Sequence, residues 1–413
     1  MKNKLLLLLA FAFIYKLEAQ TTTYIEPNSN DTRVITTGMP FLLIAGDARS
    51  AGMGDMGVAT SVDAFSQQWN SSKYAFSETK SGIGVSYTPY LGKLVNDIFL
   101  GNLTYYNRLD ERSAFAASLR YFSLGDIEFT DNEFATPYIQ RPNQFALDAS
   151  YALRLSERFS MGVAMRYLRS DLKLNDGTSD TTPANTFGVD ISGYYQSEEE
   201  AYADFNGRWR GGFAIQSIGP KFKYDEGGEE NFQPTNLRLG GGFDFIFDDY
   251  NKVSITAEFT KLLVPTPPIL GDEYEFVDLN GNGEYDADTE TRNLIQEDVI
   301  YKGKSDDVGF FKGMFQSFGD APGGFKEEMQ EITWALGAEY MYQDAFAFRA
   351  GYFHESPEKG ARQFMALGAG FKASVVNIDL SYLFSTSQVQ SPLEGTLRFS
   401  LTFNIGAGTY TEY

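Results

Sequence analysis

A transmembrane β-barrel with a plug in its lumen is the fold this sequence predicts, on three observations. From residue 81 to residue 405 the chain alternates apolar and polar residues in segment after segment, the period of a strand with two unlike faces. The segments approach the ~9–11 residues that a tilted strand needs to cross a bilayer. Ahead of them lies a glycine-dense stretch, 46–76, in which Gly46, Gly52, Gly54 and Gly57 precede small and polar residues and then Trp69 and Asn70. Glycine at this density suits a compact irregular coil. Such a coil in front of amphipathic strands reads as a plug inside an all-β barrel of about 14 antiparallel strands.

Composition bounds the alternatives. A chain of 413 residues would ordinarily suggest two or three domains, but closed β-architectures grow as one unit. The only continuously apolar segment is N-terminal: Lys2 and Lys4, then 5–14, then Leu17-Glu18-Ala19. That pattern defines a secretory signal peptide over 1–19, too short to span a bilayer, with cleavage expected after Ala19. No cysteine is present, which excludes a disulfide scaffold and a lipid-modified N-terminal cysteine. The net charge is −21 and becomes −23 once three lysines and one glutamate leave with the leader. So acidic a surface excludes nucleic acid as a partner.

The elements follow in chain order. Residues 20–80 are a leader and plug (hatch); 20–45, polar and then ending in Phe41-Leu42-Leu43-Ile44, are expected to be a periplasmic leader. The barrel occupies 81–405, and 406–413 form a periplasmic tail. Strands are expected near 82–90, 96–107, 113–123, 143–155, 159–170, 186–196, 208–217, 236–247, 251–262, 331–342, 344–354, 362–372, 374–384 and 395–405. The last is the clearest: Leu397, Phe399, Leu401, Phe403 and Ile405 share one parity, and Arg398, Ser400, Thr402 and Asn404 the other. The second, NDIFLGNLTYYN, alternates poorly. Tight connections such as Asp110-Glu111-Arg112 and Ser156-Glu157-Arg158 take turns with long ones, the longest being the insertion 263–330. Short turns at one end and long loops at the other mark a bacterial outer-membrane barrel, with an even strand count placing both termini in the periplasm. The acidic connection 197–207 is long for a periplasmic turn.

The polar parity carries Arg120, Asp148, Arg154, Arg166, Asp190, Arg238, Asp244, Glu258, Glu339, Arg349, Asp379 and Arg398. Both signs are present, so these charges can neutralise one another in a filled interior. No catalytic constellation emerges: the single histidine, His354, has no Ser or Cys and carboxylate to complete a triad. The glycines of GMGDMG lack the strand–helix context of a dinucleotide site. An enzyme is not expected.

Two features of the insertion point outward. Asp278, Asn280, Asn282, Glu284 and Asp286, with Gly283 at the sixth position, match the first half of an EF-hand-type Ca2+ loop. The twelfth position is Thr289, with Glu290 one place late, so a plain acidic turn is the alternative. Phe311, Met314, Phe315 and Phe318 fall at i, i+3, i+4 and i+7, one face of a short helix. An apolar face outside the membrane needs a cover: the barrel mouth, its own loop, or another protein.

The run Gly46-Asp47-Ala48-Arg49-Ser50-Ala51-Gly52-Met53-Gly54, with Val58-Ala59, Asp63, Trp69-Asn70 and Lys73-Tyr74-Ala75-Phe76, resembles the FadL-type barrel family. Within it the chain looks most like the PorV branch, an outer-membrane part of the Bacteroidetes type IX secretion system. One departure is Asn70-Ser71-Ser72, where the family usually shows Asn-Pro-Ala. The resemblance covers the mature chain and implies fourteen strands, an N-terminal hatch and a role in protein export without catalysis. Its implied partners are C-terminal signal domains of secreted cargo, the SprA/Sov-type translocon barrel, and the PorU sortase with its attachment complex, beside outer-membrane lipid. The wider family implies a competing role, diffusion of hydrophobic small molecules through a greasy pocket that Phe122, Leu168 and Phe353 would line. A purely structural barrel that braces a partner is the third reading.

Overall fold

The computed structural model describes residues 20–28, 33–130, 136–172, 183–224, 227–387 and 391–407. The expected signal peptide, 1–19, and most of the expected tail lie outside the described residues.

Fourteen strands make the wall: β1 (Thr79–Pro89), β2 (Ile98–Arg108), β3 (Ser113–Leu124), β4 (Asn143–Ser156), β5 (Phe159–Asp171), β6 (Ala184–Gln196), β7 (Asn206–Ile218), β8 (Asn236–Ile246), β9 (Asn251–Leu262), β10 (Ile332–Tyr342), β11 (Phe346–His354), β12 (Gln363–Ala373), β13 (Val376–Ser385) and β14 (Leu397–Ala407). Each pairs antiparallel with its neighbours in the chain, and β1 pairs with β14, Val85 opposite Leu401. The sheet therefore closes and leaves no edge among these strands, as an apolar solvent demands. Every strand expected from the alternation is present, its ends moved by at most three residues.

Alternation and burial coincide. On β4, Leu147 and Tyr151 stand about half exposed while Asp148 and Ala152 are buried. On β5, Val163 and Met165 point out while Ala164 and Arg166 point in. The faint pattern of β2 has a simple cause. Leu100 and Tyr106 face the lumen and Leu103 and Tyr105 the lipid, so apolar residues occupy both parities.

Short turns gather at one end of the barrel and long loops at the other, which assigns them to the periplasm and the exterior. The acidic connection after β6 is a hairpin extension rather than an open turn: Glu200–Ala201 pairs with Asn206 and Gly207. There Tyr202 and Phe205 stack at 5.1 Å and meet Phe243 of the outer wall.

The reading of 20–45 as a periplasmic leader is overturned. Gln20–Pro27 lies at the long-loop end, paired antiparallel with Ile269–Asp278 of the insertion, which pairs in turn with Arg292–Lys302. From this outer three-stranded sheet the chain descends through the lumen and joins β1 at the short-turn end. The barrel's own ends face the periplasm, whereas the N-terminal strand is outside. Aromatic contacts hold it there: Tyr24 stacks on Tyr274 at 5.8 Å and on Tyr285 at 5.6 Å, and Arg292 bonds to Tyr24 and Glu26.

Candidate functional site

The plug is built from short capped turns, because its sequence offers caps and small residues but no long apolar periodicity. Asp47 caps the helix Ala48–Gly52 by accepting from Ser50 N at 2.8 Å, and its other oxygen accepts from Trp69 Nε1 at 3.0 Å. Asn70 caps the 3-10 turn Ser71–Phe76 through Ser72 N at 3.1 Å. Ser71 occupies the first position of that turn, where a proline would merely pre-set φ, so the departure at Asn70-Ser71-Ser72 leaves the turn intact. Gly54 turns the chain at φ +90, a conformation that costs glycine alone nothing. A Cβ on Gly351 of β11 would sit 2.0 Å from the Met53 carbonyl carbon, so plug backbone lies directly on the wall there.

From Gly46 onward the plug circles the inside of the barrel, bonding to strand after strand. Ser86 of β1 donates to Gly46 O, and Ala48 N donates to Ser400 Oγ of β14 at 2.8 Å. Gly57 N and Val58 N both donate to Glu258 Oε2 of β9 at 2.8 Å. Asn70 Nδ2 reaches Gly193 O of β6 at 2.9 Å, and Ser160 of β5 donates to Ser72 O at 2.8 Å. All eight residues singled out in the plug sequence (Gly46, Asp47, Arg49, Gly52, Met53, Gly54, Asp63, Asn70) thus stand in this ring. Lys73 joins them, fully buried, with Nζ on Gly57 O at 2.8 Å and Thr60 Oγ1 at 3.0 Å.

The inward charges are paired. Arg166 bonds to Asp148 and Asp190, Arg210 to Asp244 at 2.6 Å, Arg238 to Glu258 at 3.0 Å, and Arg349 to Glu339 and Asp379 at 2.6 and 2.7 Å. Plug and wall exchange charges as well: Arg49 holds Asp63 and Glu339, and Asp55 holds Arg398 at 2.8 Å. Of the expected lumen charges Arg154 is the outlier, lying at the periplasmic rim over the Phe76 ring at 4.8 Å. Beside the plug a charged cavity of about 310 Å³ is lined by Arg49, Asp63, Arg208, Lys372 and Asp379.

Above this layer the lumen is apolar, and the chain fills it with itself. Phe41 stacks flat on Phe122 at 5.9 Å, and Met39 and Leu42 pack with Leu100, Leu168 and Phe222. Met39 adopts a left-handed conformation, φ 52, a cost that this packing offsets. Arg120 donates to Leu42 O at 3.3 Å and ties the apolar layer to the charged one. Phe122 and Leu168 are therefore covered by residues 39–42, while Phe353 stacks on Phe364 at 5.0 Å. The wall is patched where β6 and β7 shift register between Ile215 and Ile218. Gln233 Nε2 bonds there to Thr186, Phe187 and Pro220 at 2.9–3.0 Å.

Outside, the insertion stands on a buried ionic cluster. Lys261 bridges Glu328 and Glu331 at 3.1 and 2.7 Å, and Lys359 bridges Glu327 and Glu331 at 2.7 and 3.1 Å. In the acidic turn, Asp278 accepts from Gly281 N and Gly283 N, and Asn280 and Asn282 accept from the backbone two residues on. Glu290 folds back to accept from Leu279 N and Asp286 N, and Glu284 is exposed. Asp286 Oδ1 accepts from Asp288 N at 3.2 Å, so the expected ligand oxygens of Asp278, Asn280, Asn282 and Asp286 bind loop N–H groups, and among the described residues no three acidic or histidine side chains are grouped to share an ion. Helix Phe310–Gln316 packs through Gly313 against Phe232 and Pro265. Phe311, Phe315 and Phe318 are 60%, 74% and 54% exposed, and Met314 is half-buried. His354 stacks on Trp334 at 5.1 Å.

The family model described as "Type IX secretion system protein PorV" matches residues 27–269. No curated protein matches the chain. Among solved structures the chain is similar to the CymD monoaromatic hydrocarbon channel, with 15% identity and TM-score 0.45 over 89% of this chain and 99% of that one. It is also similar to a Pseudomonas aeruginosa FadL homologue (12%, TM-score 0.44, 91% and 100%) and to the Pseudomonas putida toluene transporter TodX (12%, TM-score 0.43, 90% and 98%). The fourteen-strand closure rests on the chain's own strand register rather than on these likenesses.

Proposed function

The chain belongs to the PorV family of type IX secretion system proteins, and we propose that within that system it is a non-catalytic cargo carrier. It is an integral outer-membrane barrel and a secretion component. In this reading it binds the C-terminal signal domain of secreted proteins, receives them from the SprA/Sov-type translocon barrel and passes them to the PorU sortase and its attachment complex. The observation that carries the reading is the occupied lumen beneath a built external surface. Residues 39–42 fill the apolar upper lumen and paired charges fill the middle, whereas Phe311, Phe315 and Phe318 stand exposed outside. A carrier of folded cargo needs an anchor and a protruding face, and an exposed aromatic cluster supports such a face.

The cargo surface is proposed to be the insertion 263–330 with help from 218–235. Deletion of 271–325 in a barrel that still inserts should abolish cargo retention in a pull-down from native membranes. Unchanged retention sinks the assignment. The alternative, transport of hydrophobic small molecules, needs residues 39–42 to leave the chamber that they fill. Lipid or hydrocarbon in the lumen of purified protein, without affinity for cargo signal domains, would favour it.

A further inference from the structure

The helix Phe325–Gln330, which leads into β10, is amphipathic in the reverse of the soluble sense. Glu327, Glu328 and the following Glu331 are 3%, 9% and 6% exposed, turned inward onto Lys261 and Lys359. Phe325 and Met329, one turn apart, are 80% and 50% exposed. Lys326 is the helix's only charged side chain left in the open. A helix in water would show its carboxylates and hide its phenylalanine; this one does the opposite, so the medium it faces is apolar.

The neighbouring wall says what that medium is. A few residues further on, Trp334 and Leu336 of β10 face lipid. Trp334 forms an aromatic row with His354 and Tyr352 at 5.1 and 5.5 Å, the girdle that marks headgroup level on a barrel. The helix that carries Phe325 and Met329 contacts β10 and runs straight into it, five to nine residues before Trp334. In a chain of net charge −21, the exposed Lys326 on this face matches an anionic surface and is the usual companion of aromatic residues in interfacial helices.

We propose that the helix Phe325–Gln330 lies on the outer leaflet, its Phe325 and Met329 in the acyl boundary and Lys326 on anionic headgroups. The bilayer thereby becomes the second support of the insertion, opposite the ionic cluster of Lys261 and Lys359. This does not depend on the cargo reading and stands or falls separately.

The chain has no cysteine, so single labels report cleanly. Met329→Cys, Leu336→Cys and Tyr301→Cys proteins, each carrying an environment-sensitive fluorophore, are placed in vesicles of phosphatidylcholine with phosphatidylglycerol, with and without brominated acyl chains. The label at 329 should be quenched by bromolipid nearly as well as that at 336, and that at 301 should not. Adding Phe325→Ser and Lys326→Glu should roughly halve the quenching at 329. A label at 329 that iodide reaches as freely as it reaches 301 would overturn the proposal. Shielding seen only in native membranes, and absent in vesicles, would assign the face to a protein and overturn it as well. Equal quenching in phosphatidylcholine alone would remove the headgroup role given to Lys326.

Discussion

Arg49 of the plug and Glu339 of the wall strand β10, 290 residues apart in sequence, meet in a two-pronged ion pair: Nε to Oε2 at 3.0 Å and Nη2 to Oε1 at 2.8 Å. Arg349 adds a second cation to the same carboxylate and Asp63 a second anion to the same guanidinium. Plug and barrel are thereby joined by a four-residue ion network.

Arg49→Leu should destabilise the folded barrel by about 1–3 kcal/mol, because it takes the ion-pair partner from Asp63 and one of two from Glu339 beside a charged cavity. Urea unfolding in detergent measures it. Adding Asp63→Asn should recover part of the loss, since the carboxylate that lost its ion-pair partner is then neutral. Simple additivity of the two changes would argue against coupling.

Gly351→Val should prevent stable assembly of plug on wall, since even a Cβ there lands 2.0 Å from the backbone of Met53. Gly211→Val on β7, where nothing lies within 4 Å of the added carbon, should be close to neutral. Retention of the heat-resistant fast-migrating band on gels separates the two. Equal behaviour would contradict the close plug–wall contact.

Phe41→Ala with Leu42→Ala should empty the upper lumen beside Phe122 and Leu168. The expected cost is at least about 3–5 kcal/mol, with uptake of detergent or hydrocarbon visible by native mass spectrometry. The unaltered protein should carry none. An occupied native lumen would instead favour the transport reading.

Thr23→Cys with Glu275→Cys should form a disulfide under mild oxidation of intact cells, because these residues are register partners in the outer sheet. The chain's lack of other cysteines leaves no competing pair. Should a membrane-impermeant thiol reagent reach residue 23 only after the outer membrane is breached, the external placement of the N-terminal strand would be wrong.

Burial pushes the Asp320 carboxyl up to about 6, despite the hydrogen bond from Thr266 N, and Glu328 and Glu331 push it the same way. A carboxyl that binds its proton more tightly in the native state stabilises it fully below about pH 4 and loses that contribution as pH rises through the folded pKa. The outer insertion should therefore resist proteolysis better at about pH 5 than at about pH 7.5, by an amount near 1 kcal/mol after allowance for solvent screening. Asp320→Asn should flatten the dependence. An undiminished pH effect in that variant would place the titrating group elsewhere.

Much of the candidate site was legible and its connections were not. Gly46 and its neighbouring glycines drew attention through their density, a local property, and Asp47, Arg49, Asp63 and Asn70 through the resemblance of the run that holds them; the capping bonds of Asp47 and Asn70 were read only from the structure. That Arg49 would find Glu339, or Asp55 find Arg398, depends on which strand the plug passes as it circles the lumen. The apolar cluster 41–44 was visible, yet its role as the filling of the upper lumen needed Phe122, Leu168 and Phe222 brought in from three distant segments. The inside-out helix 325–330 was overlooked because its sequence, FKEEMQ, reads as an ordinary polar turn until its inward side is known.

What the sequence determined by itself is the wall. A strand between lipid and a filled polar centre must alternate, and alternation is written residue by residue, so fourteen strands and their two faces follow without knowledge of any partner. Only the tertiary structure decided where residues 20–27 go. Their mates at 271–278 lie some 250 positions away, and a short polar strand carries no mark of which end of the barrel it leaves by. Strand faces are set by the solvent on either side, whereas pairing across the lumen is set by the path of the whole chain.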